Sequence, residues 1–292
     1  MISATGMNKV SITRAIFWIF ILGYIGLILV YPRLGPSDEY AFLPTLQSGK
    51  SFPMYGVDFP YYNSAEMGRF SPLAGQEYNL AALFSNAPFA YFLLNAIQLV
   101  IFVLAFLSIL SSLSISKEHG YWALILLLLL PAATLTFFKL LYIDKTVLTL
   151  MAVALAAHIG FQAHRKPVFF LLALIAANLA LYYKEPVFAL IATYAAVHLW
   201  LGRRTLPKRV LALDVLWIAS AITYLLIYVM FVIPHRGAEI YGQSQAGGVV
   251  LASVKNMANY AFFSDPIIIL CLFPLAAYRV VAVLLKRVDP HP

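Results

Sequence analysis

Apolar residues run along this chain in long blocks, and polar residues fall in short groups between them. A helix that crosses a bilayer needs about 20 consecutive, mostly apolar residues. Eight blocks meet that measure, at about 15–32, 87–113, 120–138, 146–163, 167–183, 186–201, 212–233 and 266–285. Arg279 interrupts the last one, and its long side chain can reach back to the nearer surface. The pattern predicts an all-α polytopic membrane bundle of about eight transmembrane helices, with residues 1–292 forming a single transmembrane domain. No small-residue cleavage site follows the first block, so that block reads as an uncleaved anchor.

Composition strengthens this reading. Of 292 residues, 62% are hydrophobic and only 11% are charged, and the mean hydropathy is +0.85. A soluble domain keeps about a quarter of its residues charged. The net charge of +8 would suit nucleic acid if the basic residues formed one patch. They fall instead in short clusters between apolar blocks, such as His164-Arg165-Lys166 and Arg203 to Arg209. Short basic connections mark the cytoplasmic side of a membrane protein. The charge therefore orients the chain, with both termini cytoplasmic, and calls for no nucleic-acid partner. The single cysteine, Cys271, lies in an apolar block and excludes an intrachain disulfide.

The opposite side carries the long polar connections. The first, about 33–86, is rich in Tyr, Pro and Gly, and the last is about 234–265. Two short turns lie between them, Lys139 to Lys145 and Lys184 to Pro186. Chemistry concentrates on loops held by a rigid scaffold, so this outer face is the expected site. The first loop opens Gly35-Pro36-Ser37-Asp38-Glu39-Tyr40. Ser37 can cap a helix whose first turn holds both acids, which is a purely structural role. Asp38 and Glu39 also share the expected outer face with Asp144 and Glu185. Cations accompany them: Lys139, Lys145, Lys184, His235 and Arg236. Such a set can form interfacial ion pairs. It can also serve a reaction on an anionic lipid, with a carboxylate taking a hydroxyl proton and cations stabilising a leaving phosphate.

In this arrangement the chain resembles the GT-C superfamily of membrane glycosyltransferases, which use polyprenyl-phosphate sugars. The likeness rests on Asp38-Glu39 soon after the first block, Gly68-Arg69-Phe70-Ser71-Pro72-Leu73 before a juxtamembrane helix at Gln76 to Asn86, Asp144 in YIDK, and the Lys184-Glu185 pair. It covers about residues 10–230. The resemblance implies a GT-C-like fold and inverting transfer of a sugar from a polyprenyl-phosphate donor to a lipid-linked or cell-envelope glycan acceptor. It implies Asp38 as base, Glu39 or Asp144 as its aid, and Arg69, Lys139, Lys145, Lys184, Glu185, His235 and Arg236 around the substrate. It also implies the bacterial inner membrane. The chain lacks the soluble outer domain of many relatives, which leaves room for a small or lipid-bound acceptor or a partner subunit. A lipid-linked-glycan transporter and a non-catalytic assembly subunit are the alternatives. Paired broken helices or internal repeats would favour transport, and the sequence displays neither.

Further polar signals are weaker. Asp38, Glu39 and Asp144 can hold a divalent cation through oxygen ligands. Asn95 and Gln98 lie three apart and share a helix face suited to interhelical hydrogen bonds. His158 and His198 sit near the cytoplasmic ends of their blocks and read as structural or interfacial. Tyr182 and Tyr183 fit an aromatic belt. In the last loop, Gly237, Gly242, Gly247 and Gly248 suggest a lid, and residues 249–263 show an amphipathic helical pattern suited to the interface.

Overall fold

The computed structural model describes residues 4–30, 44, 47–51, 54, 70–140, 142–232 and 281. Contacts divide the chain into two units, Met1–Gly237 and Ala238–Pro292, and the architecture below is that of the first. Asp38, Glu39, Arg69, His235 and Arg236 lie outside the described residues, as do the expected lid, the interfacial helix and nearly all of the eighth block.

The described residues are helical, with no strand among them. In chain order the helices are α1 (Ala4–Val30), α2 (Gln76–Ala82), α3 (Pro88–Ser112), α4 (Lys117–Leu129), α5 (Pro131–Phe138), α6 (Asp144–His164), α7 (Pro167–Leu181), α8 (Val187–Gly202) and α9 (Lys208–Ile227). A π-helical turn, Tyr228–Val232, extends α9. The first seven apolar blocks are thus helical. Among the described residues, four helices are long and apolar enough to cross a membrane, or five if a bent pair counts as one span. The eighth expected span lies outside the described residues, and two differences separate the other seven from expectation.

The first difference is a break. The block at 120–138 is two helices, α4 and α5, bent by 74°. Leu130 is extended (φ −62°, ψ 138°) and Pro131 opens α5. Proline disfavours helical geometry in the residue before it and supplies no backbone donor. Apolar composition carries no trace of this break. The second difference is length. Helices α7 and α8 have 15 and 16 residues. At 1.5 Å per residue they rise roughly 22–24 Å, less than a hydrocarbon core of about 30 Å.

Two clusters of buried side chains hold the unit together. One packs α1, α2, α3, α4 and α5 around Phe17, Tyr78, Phe92, Leu99 and Phe137. The other packs α6 to α9 around Phe161, Leu181, Ile191, Trp217 and Tyr224. Contact between α3 and α6 links them. The closest seam, α6 against α7, buries Ala154, Ala157, Ala173, Ala176, Ala177 and Ala180. Small residues let two backbones approach, which is how apolar helices gain packing energy where lipid removes the hydrophobic drive. The outward surfaces are apolar too: Ile19, Leu22, Leu104, Leu126, Leu171 and Trp200 are all exposed. A helix apolar on every side suits lipid rather than water.

Candidate functional site

Three stretches distant in sequence meet at one end of the bundle: residues 70–78, residues 139–146 and the turn at 182–186. The end of α5 creates the first requirement there. The helix stops at Phe138, and the carbonyls of Lys139 and Leu140 lie beyond its hydrogen-bond ladder. Asn95 on α3 donates to Phe137 O at 3.2 Å and Lys139 O at 3.3 Å. Lys145 donates to Lys139 O and Tyr142 O, each at 3.3 Å, and also to Leu140 O. Its ammonium further donates to the Tyr78 hydroxyl at 2.7 Å. The Lys145 side chain is fully buried in this cage. A cation at a helix C-terminus also meets the negative end of the helix dipole.

Glu77 occupies the adjoining position. It lies in the first turn of α2 and is buried. Gly75, at φ 79°, turns the chain into that helix. A left-handed backbone of this kind costs little only for glycine. Glu77 Oε1 accepts from Thr146 Oγ1 at 2.7 Å, and Oε2 accepts from the Tyr183 hydroxyl at 3.0 Å. Thr146 in turn accepts from Gln98 Nε2 at 3.0 Å. The Tyr183 phenol is the donor in this pair. The segment is tied down further by Leu73 N donating to Tyr182 O at 3.0 Å and the Tyr224 hydroxyl donating to Phe70 O at 2.5 Å.

Above this buried layer, Lys184 donates to Asp144 Oδ1 in an ion pair whose side chains are 40% and 39% exposed. Glu185 is half-buried, and its Oε1 has no hydrogen-bond partner among the described residues. On α3, three further buried polar atoms have no hydrogen-bond partner among the described residues: Tyr91 OH, Asn95 Oδ1 and Gln98 Oε1. All three belong to one face of α3, at positions 91, 95 and 98.

The structure thus brings together Asp144, Lys184, Lys145 and Lys139, as the sequence expected of one face. It gives them different surroundings. Lys184 and Asp144 are accessible, whereas Lys145 is enclosed by carbonyls. Asn95 and Gln98 make the expected interhelical hydrogen bonds. Glu77 was expected only as part of a juxtamembrane helix. No sequence signal marked it beyond being an acid beside an apolar block.

A second polar cluster lies farther along α6, about 21 Å from Asp144 along the helix axis. His158 Nε2 and Asp214 Oδ1 are 2.8 Å apart, and His198 Nδ1 and Asp214 Oδ2 are also 2.8 Å apart. His158 and Asp214 are fully buried, and the His198 side chain is 13% exposed. The sequence reading placed both histidines near the cytoplasmic ends of their blocks and took them as structural or interfacial rather than as metal ligands. Asp214, the missing link, was not singled out in the sequence, although an acid inside an apolar block is a functional candidate by default.

Comparison with known proteins gives no match: no family model, no curated protein and no solved structure corresponds to this chain.

Proposed function

We propose that this chain is a membrane glycosyltransferase of the GT-C type, acting on a polyprenyl-phosphate sugar at the Asp144 end of the bundle, on the non-cytoplasmic face. The observation that carries the reading is the accessible Asp144–Lys184 pair, set over a buried layer that fixes residues 70–78 against two turns. A lipid phosphate suits this setting, because the cation lies at the end of apolar helices where a headgroup would sit. In the proposed reaction, Asp38 takes the proton of the acceptor hydroxyl. That oxygen forms a bond to the anomeric carbon as the bond from carbon to phosphate oxygen breaks. The phosphate leaves with its electron pair, and Lys184 and Lys139 stabilise its charge. Arg69, His235 and Arg236 are further candidates for the donor, and a partner subunit or divalent cation is compatible with the scheme. Glu77 acts as a positioning residue through Tyr183 and Thr146.

Reconstitution with a polyprenyl-phosphate sugar tests this directly. Glycosyl transfer to a lipid or glycan acceptor is the expected result. Neither transfer nor saturable binding of the donor lipid, with folded protein, would sink it.

One observation favours a second reading, a transporter of lipid-linked glycan. The α4–α5 break is the kind of interruption that transporter sites use. Such sites use discontinuous helices in pairs, and a single break occurs among the described residues. Movement of labelled donor lipid between leaflets, without any glycosyl transfer, would decide for transport.

A further inference from the structure

We propose that His158, His198 and Asp214 form a binding site for one divalent transition-metal ion of the zinc class. The three side chains come from three helices, α6, α8 and α9, and each offers a donor atom to a common point. Those donor atoms all lie within 4.8 Å of one another. Two imidazoles and a carboxylate are a familiar zinc donor set, commonly completed by a solvent or substrate oxygen. In a tetrahedral set with bonds of about 2.1 Å, donor atoms stand about 3.4 Å apart. The two His–Asp contacts of 2.8 Å open by about 0.6 Å to reach that spacing, while the third pair, within 4.8 Å, closes toward it.

The surroundings support a built site. The nitrogen of His158 that faces away from Asp214, Nδ1, lies 3.4 Å from the Tyr194 hydroxyl. Metal-bound histidines are generally oriented in this way, through their second nitrogen. Tyr194 also stacks on His198, with ring centroids 5.8 Å apart and planes at 6°. Trp217 lies 5.0 Å from the His158 ring and is itself buried. Its indole nitrogen has no partner among the described residues. These aromatic contacts hold both imidazoles in place.

The test uses full-length protein in detergent, purified with a histidine-free tag, stripped by chelator and titrated with Co²⁺. The expected result is uptake of one equivalent, with the visible d–d absorption of a four- or five-coordinate ion, displaced by Zn²⁺. His198→Gln and Asp214→Asn should each weaken binding at least tenfold, with folding checked by gel filtration. Tyr194→Phe keeps the ring and should weaken binding about tenfold, as loss of an outer hydrogen bond does. A thermal shift with Zn²⁺ in the wild type, reduced in the variants, is an independent readout. Absence of stoichiometric Co²⁺ uptake by folded wild-type protein would overturn the proposal. So would unchanged affinity in both ligand variants. Either result leaves a hydrogen-bonded triad that ties three helices together.

Discussion

Tyr183 donates its phenolic hydrogen to Glu77, 106 residues earlier in the chain, at 3.0 Å. This bond joins the turn after α7 to the short helix α2, and it stands beside the Thr146 bond to the same carboxylate. Tyr183→Phe removes the donor and leaves a buried acceptor short of one partner. It should cost about 1.5–3 kcal/mol, the range for hydrogen bonds to charged groups. A double-mutant cycle with Glu77→Gln, followed by denaturation in detergent, measures the coupling. Additive losses would mean that the bond contributes nothing.

Lys145 and Lys184 should respond oppositely to substitution. Lys145→Met removes the charged donor shared by the carbonyls of Lys139, Leu140 and Tyr142, which keep only the Asn95 amide, the Tyr78 hydroxyl and the backbone N–H of residue 145. Loss of hydrogen bonds from a charged group costs about 1.5–3 kcal/mol, so folded yield should fall. Lys184 is 40% exposed in its ion pair. Surface pairs contribute about 0–1 kcal/mol, so Lys184→Ala should fold nearly normally while using the donor lipid poorly. Equal yields for the two variants would contradict the difference in burial.

Gly75 provides a backbone test. Its φ of 79° is reached at little cost only by glycine. Gly75→Ala should lower stability by about 1–2 kcal/mol. Because Glu77 follows two residues later, donor binding should weaken too. A melting temperature matching the wild type would show that this turn adjusts freely.

Asp38→Asn tests the proposed base. The side chain keeps its shape and much of its capping ability but cannot take a proton. Turnover should fall about 10²–10⁴-fold, with expression and donor binding close to wild type. A purely helix-capping role gives the reverse pattern, a modest stability loss with normal turnover per folded molecule. Collapse for Glu39→Gln alone would move the base to Glu39.

Orientation is open to direct labelling. A cysteine introduced at Ser51 or Ser244 should react with an impermeant reagent in intact cells, and one at Thr205 should not. Labelling of Thr205 from outside would reverse the proposed sidedness.

How much of this was legible in the sequence differs from feature to feature. The helical blocks were legible because apolar length alone reports them. Asp144 and Lys184 were expected on one face because successive spans alternate direction, and the ion pair joins them. Asn95 and Gln98 were expected to bond across helices because their spacing puts them on one face. The burial of Lys145 was not legible. It follows from carbonyls that lie beyond the end of α5 at Phe138, a boundary that apolar length does not mark. The His158–Asp214–His198 cluster needs three helices packed at a particular register, which periodicity along one chain does not specify.

The bend at Pro131 also bears on how the protein is made. Helix α4 has 13 residues and α5 has eight. Neither half matches the roughly 20 residues that a bilayer core demands of a single helix. During synthesis, this segment gains little from entering lipid by itself. It fits best after α1 and α3 are in place, because both lie against α4 and α3 also touches α5. Insertion of that stretch is then a step of assembly as much as of partitioning. Severing the gene product before α4 and supplying the two pieces separately should leave the second piece dependent on the first for its topology.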